Sequence, residues 1–116
     1  MSEIKERIIV GLTVPIILYG KNAKKQVLAR VDTGATKSSI DEKLAEELGF
    51  GVAHRNILIK SAHGSKQRGV VNVDVEIKGE HMNVECTLSE RSHMKYRFLI
   101  GQNILKKGFL IDPLKE

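Results

Sequence analysis

Cysteine is almost missing from this chain: Cys86 is the only one in 116 residues. One thiol cannot form an internal disulfide, and it leaves too few thiolates for a thiolate-rich structural zinc site. A long hydrophobic run is missing too. The longest apolar stretch, Ile8 to Tyr19, is broken by Gly11, Thr13 and Pro15, whereas a bilayer-spanning helix needs about 20 predominantly apolar residues. No membrane span is expected. The N-terminus, Met1-Ser2-Glu3-Ile4-Lys5-Glu6-Arg7, carries charges of both signs, and no small-residue cleavage site follows the short apolar run after it. A cytoplasmic, reducing setting is the expectation. The sequence has no G-x-x-x-x-G-K-S/T loop to cradle phosphates and no H-E-x-x-H helix to hold zinc, and His54, His63, His81 and His93 are far apart. No metal and no cofactor is expected.

Aromatic residues are scarce, with two Tyr, three Phe and no Trp, and they are spread along the chain rather than interleaved with a basic run. This matters because the net charge of +5 invites a nucleic-acid reading, in which clustered cations neutralise phosphates and aromatics stack on bases. The cations are instead scattered, from Lys24 and Lys25 to Lys106 and Lys107, with acidic residues between several groups. A solvated basic surface is the expectation. Hydrophobic residues at 41% and charged residues at 28% are ordinary for a folded globular protein. The length suits one domain spanning residues 1–116.

The periodicity is mostly that of strands. Val71, Val73, Val75 and Ile77 alternate with Asn72, Asp74, Glu76 and Lys78, a period of two that sends one face inward. Lys78-Gly79-Glu80 turns the chain, and Met82, Val84, Cys86 and Leu88 resume the alternation, so Val70 to Leu88 reads as a β-hairpin. Cys86 then falls on the apolar face as a small buried hydrophobe, and His81 falls on the solvent face. Ile57 to Ile59 leads into the polar stretch Lys60 to Gly69, which reads as an exposed hairpin arm with its tip near His63-Gly64-Ser65. Further short strands are expected at Ile8 to Val10, Ile16 to Tyr19, Gln26 to Val31 and Phe98 to Ile100. Helix signals are few: Asp41 as an N-cap, Leu44 and Leu48 on one face, a Lys43–Glu47 pair, Gly49 as the stop, and a second short helix after Gly101.

Against this background Asp32-Thr33-Gly34 carries the chemistry. Val27 to Val31 delivers Asp32 from the end of an apolar strand, and Gly34-Ala35 lets the chain turn with little bulk, so a carboxylate can face a cleft on a rigid backbone. The Gly34 N–H can approach that carboxylate, and the Thr33 hydroxyl can reach a partner loop. The plain alternative is a turn, because Asp and Gly are common turn formers.

The chain here resembles the retropepsin family of aspartic peptidases, and most closely the bacterial and archaeal group labelled ATP-dependent zinc proteases. The resemblance rests on Val31-Asp32-Thr33-Gly34-Ala35 with Ser38-Ser39, on the flap-like Ile59 to Arg68, on Glu90-Arg91-Ser92-His93-Met94, on Phe98 to Leu105 and on Gly108 to Pro113. Leu99-Ile100-Gly101 is similar to the element that threads behind the catalytic loop. The resemblance implies a retropepsin-like acid-protease barrel, mostly β with one or two short helices. It also implies a homodimeric aspartic endopeptidase acting on a peptide or protein. Asp32 is the catalytic residue in that reading. Thr33, Gly34 and Ala35 support it, and Ala62, His63, Gly64 and Ser65 form the substrate-binding flap.

Aspartic peptidases need two carboxylates sharing one proton, and Asp41, Asp74 and Asp112 lack a following Ser/Thr-Gly, so the second carboxylate must come from a second copy of the chain. Retroviral members often carry an Asp and an Arg where this chain has Thr36 and Gln102, so an ion pair near the dimer interface is lost. Ala35 offers the dyad no hydroxyl, which implies activity in the mildly acidic to near-neutral range. Two other readings stand beside the peptidase: a retropepsin-fold protein that binds peptides without cutting them, and a basic nucleic-acid-binding β domain.

Overall fold

The computed structural model describes residues 6–62 and 64–115. In chain order its elements are β1 (Ile8–Val10), β2 (Thr13–Tyr19), β3 (Lys24–Val31), β4 (Ser38–Asp41), α1 (Glu42–Leu48), β5 (Arg55–Ser61), β6 (Gly64–Ile77), β7 (Glu80–Ser89), β8 (Phe98–Ile100), α2 (Gln102–Leu105) and β9 (Phe109–Ile111). The mostly-β expectation with two short helices holds.

The alternating hairpin forms as its pattern dictates. Val71, Val73, Val75 and Ile77 are each at most 1% exposed, and Ile77 pairs with Glu80 across the turn. Lys78 and Gly79 take φ values of 53° and 84°, the left-handed pair whose twist matches that of the flanking strands. Past Cys86 the alternation fails: Thr87 and Ser89 are buried while Leu88 is half-buried. The cause is β4, which pairs in parallel with this end of β7, from Ser38↔Cys86 to Asp41↔Ser89. It brings polar side chains with it, and Ser39 Oγ lies 2.7 Å from Ser89 Oγ.

The strands order as β2-β3-β8-β4-β7-β6-β5, and the sheet closes where β2 also pairs with β6, from Ile16↔Ile77 to Tyr19↔Asp74. The result is a closed barrel around Ile16, Leu18, Ile40, Ile77 and Phe98, all essentially inaccessible to water. Strand β6 is long enough to do two jobs. From Val70 onward it pairs with β7 inside the barrel, whereas Gly64 to Gly69 pairs only with β5 and projects as a hairpin. The expected arm is therefore present, with Ser61↔Gly64 the last pair before its tip.

Helix α1 starts as expected: the Asp41 carboxylate accepts the Leu44 N–H at 3.1 Å, Leu44, Ala45 and Leu48 face the core, and Gly49 ends it in the left-handed conformation. The anticipated Lys43–Glu47 pair gives way to one with Lys25 of β3, at 3.7 Å from Glu47. A strand lying alongside offers Glu47 a partner that helical spacing alone cannot reveal. Short β1 and β9 pair in parallel, Ile9 opposite Leu110, and these two side chains remain 47% and 53% exposed. Among the described residues no helix is long and apolar enough to cross a membrane.

Candidate active site

The Asp32 loop is fixed from both ends. Strand β3 lies beside β8, with Arg30↔Leu99 and Val31↔Ile100, and the Asp32 N–H continues that ladder to the Ile100 carbonyl at 2.9 Å. The Ala35 N–H returns to the Asp32 carbonyl at 3.2 Å, closing a tight turn. Within it the Gly34 N–H donates to Asp32 Oδ1 at 3.0 Å, the approach anticipated from the sequence. A Cβ on Gly34 would stand 3.4 Å from that oxygen, an ordinary contact, so this approach does not by itself demand glycine.

Behind the turn a polar web ties together residues more than 60 positions apart. The Ser38 hydroxyl donates to Asn103 Oδ1 at 2.8 Å and accepts from the Gly101 N–H at 2.9 Å. Asn103 Oδ1 also accepts the Ser38 N–H at 2.9 Å, and Asn103 Nδ2 donates to the Glu85 carbonyl at 2.8 Å. The Gln102 N–H donates to the Ala35 carbonyl at 2.8 Å, and its side-chain amide donates to the Thr33 carbonyl at 2.9 Å. Gln102 is thus a brace for the loop, a role not foreseen from its replacing a charged residue. Gly101 is the position that has no choice. A Cβ there would meet the Lys37 backbone at 2.6 Å and the Ala35 carbonyl at 2.9 Å, so the Leu99-Ile100-Gly101 element passes directly behind the loop.

A cleft of about 520 Å³ separates this loop from the projecting hairpin. Its floor includes Gly34 and Ala35, and its roof is formed by Ile57, Leu58, Ile59 and Lys60. Ala62 is exposed in the turn, Gly64 and Ser65 open β6, none of the three lines the cleft, and His63 lies outside the described residues. Half-buried Asp32 and Thr33 are not part of the lining either, although they belong to the turn that forms its floor.

Two carboxylates organise the surroundings: Asp41, which the sequence marked only as a helix cap, and Glu85, which it did not single out. Buried Asp41 does more than cap α1: it also accepts the Arg91 N–H at 2.7 Å and an Arg97 guanidinium N–H at 2.9 Å. Burial pushes its carboxyl pKa upward, but donation from the Arg91, Arg97 and Leu44 N–H groups outweighs this and holds it below the ordinary range. The peptide carrying Arg91 is thereby pinned, the residue lines the cleft, and its Nε donates to the Tyr96 carbonyl at 2.9 Å. Burial draws the Arg91 guanidinium pKa down, with the charges of Asp41 and Asp32 acting the other way. Glu85 bonds Lys37, just past the Asp32 turn, at 2.9 Å and also pairs with Arg55 at the base of the hairpin. Its carboxyl is held low, chiefly by the Lys37 bond. Among the described residues no group of three His, Cys, Asp or Glu could hold a metal ion.

A closed barrel with a D-T-G turn on the floor of a cleft and a β-hairpin over it defines the retropepsin-like class. The chain belongs to the family described as gag-polyprotein putative aspartyl protease, whose pattern it matches over residues 20–107. Two solved retroviral enzymes share the fold. The simian foamy virus (mac) protease superposes with a TM-score of 0.59 at 23% identity over 81% of this chain and 91% of its own. The EIAV protease, complexed with the inhibitor HBY-793, gives 0.61 at 17% identity over 91% of each chain. A probable alpha-L-glutamate ligase of Shewanella pealeana is 38% identical over 63 residues, which is 53% of this chain but only 13% of the ligase. So small a share carries no ligase activity over. The narrower likeness to the group labelled ATP-dependent zinc proteases is not among these matches.

Proposed function

We propose that this chain is one half of a homodimeric aspartic endopeptidase in which Asp32 from each of two copies forms the catalytic dyad. The observation that carries the reading is the double fixing of the Asp32 turn, by the Ile100 carbonyl on one side and the Gly34 N–H on the other, below a hairpin-roofed cleft. In the dyad one carboxylate takes a proton from water as its oxygen attacks the scissile carbonyl carbon, and the other gives its proton to the carbonyl oxygen. Collapse of the tetrahedral species breaks the C–N bond as a proton passes to the leaving amine. Thr33 and the peptide groups of Gly34 and Ala35 hold the carboxylate in place. The hairpin, with Ala62, Gly64 and Ser65 near its tip, closes over the peptide and excludes water.

Two features support a second copy. The chain has only one Asp followed by Thr-Gly. Exposed Ile9, Leu12, Leu110 and Leu114 lie on or next to β1 and β9, an apolar surface that an isologous contact would cover. We retain the cytoplasmic setting as part of this proposal. The only thiol, Cys86, is buried, and burial pushes its pKa up, so it stays an inert thiol there.

The test is hydrolysis of a complex peptide mixture read by mass spectrometry for the wild type and for Asp32→Asn. Products from the wild type alone support the reading, and the same products from both would remove Asp32 from the chemistry.

A further inference from the structure

The cleft is cationic in a way the dyad does not require. Its lining includes Lys37, Lys60, Arg68 and Arg91 and no Asp or Glu. Two of these cations come from the floor side. Lys37 is neutralised in part by Glu85 at 2.9 Å, but that carboxylate also serves Arg55. Arg91 spends its Nε on the Tyr96 carbonyl, and the rest of its guanidinium fork forms no ion pair among the described residues. The other two come from the roof. Lys60 on β5 and Arg68 on β6 form no ion pair among the described residues either; half-buried Arg68 stands opposite Ile57 and shares its face of the arm with Ile57 and Ile59, whereas exposed Lys60 falls on the other face with Leu58. Four cationic residues gathered along one cleft whose lining holds no carboxylate attract anions more strongly than the same groups dispersed over the surface.

Resting on the peptidase reading above, we infer that the substrate is an acidic peptide, with Glu or Asp side chains flanking the scissile bond and received by Arg68 from the roof and by Lys37 and Arg91 from the floor. An extended peptide presents successive side chains to opposite sides, so cations on both walls can each receive a carboxylate. The two arginines can do so through two parallel N–H···O bonds. Arg91 is near enough to Asp32 for the two charges to interact, which puts one acidic side chain close to the bond that is cut.

The test uses labelled peptides identical except that alternate positions hold Glu, Gln or Lys. Binding to the full-length Asp32→Asn protein is read by fluorescence anisotropy, and kcat/KM is read with the wild type. The Glu peptide should bind on the order of tenfold more tightly than its Gln counterpart at low salt, and the margin should narrow as salt is raised. Arg68→Gln and Arg91→Gln together should bring the Glu-to-Gln ratio close to one. Equal affinity for the three peptides, preference for the Gln or Lys form, or no measurable binding of the Glu peptide would overturn the inference. So would a single-stranded oligonucleotide that displaces the Glu peptide at concentrations below the peptide's own Kd, since the cleft would then be a nucleic-acid site. The two readings fail separately: selective binding of the Glu peptide without wild-type cleavage sinks the peptidase but keeps the acidic cleft, and indifferent cleavage of all three peptides does the reverse.

Discussion

The floor and the roof of the cleft belong to one sheet, yet they are held by different physics. The floor is a turn braced by the Gln102 side chain and backed by a buried to part-buried hydrogen-bond web of Ser38, Gly101 and Asn103, reached from the far end of the chain. The roof is a two-stranded arm whose outer ladder, Ser61↔Gly64 to Asn56↔Gly69, has no further strand beside it among the described residues. The proposed dyad, whose two carboxylates would have to be held to about 0.5 Å of a productive geometry, calls for the first arrangement, and the proposed lid for the second.

The largest expected effect falls on the floor. Asp32→Asn should fold and bind peptide yet lose turnover by about a thousandfold or more, measured as kcat/KM. Next comes Asp41→Asn, which should unfold at lower denaturant. Losing a buried carboxylate that satisfies Arg97 and two backbone N–H groups costs about 3 kcal/mol. Because its folded pKa is depressed, the stabilisation is present above the unfolded value near 4 and is lost as pH falls through the folded value. The gap between wild type and variant should therefore close on acidification, and a constant gap would show that the Asp41 charge plays no part. Asn103→Ala should cost about 2 kcal/mol through the Ser38 N–H and hydroxyl it leaves unpaired.

On the roof the balance should reverse. Gly64 sits at φ +112°, which proline cannot adopt, so Gly64→Pro should shift KM and kcat together while the thermal midpoint moves little. A fall in midpoint as large as that of Asn103→Ala would erase the contrast between floor and roof. The smallest effect belongs to neither. Lys78, the one non-glycine with positive φ among the described residues, should gain about 0.5 to 1 kcal/mol on change to Asn, the residue that favours this turn.

The same contrast explains what could be read from the sequence. The β6–β7 hairpin was legible because one face is buried and the other wet, so alternation marks it. The D-T-G turn was legible because a strand-ending Asp followed by a glycine is a local signal, whereas the Leu99-Ile100-Gly101 element was read only through the family likeness. Strand β4 was not, since Ser38-Ser39-Ile40-Asp41 is covered on both sides and carries no alternation. The bracing roles of Asn103 and Gln102 went unread because their partners, Ser38 and Thr33, are more than 60 positions away. The one available signal was their place directly after Gly101. Arg91 was read only within a family likeness, and Asp41 only as a helix cap. Nothing local announces that the two are joined, or that Arg91 lines the cleft.

The central claim is that catalysis takes one Asp32 from each of two chains, and subunit mixing tests it most directly. Wild-type and Asp32→Asn chains are combined in varied proportion, allowed to exchange, and assayed at constant total protein. If the dyad spans two copies, mixed dimers are inactive, and activity falls as the square of the wild-type fraction, to about a quarter at an equal mixture. A straight-line fall, to about half at the same point, would mean that one chain's Asp32 suffices and would contradict the account.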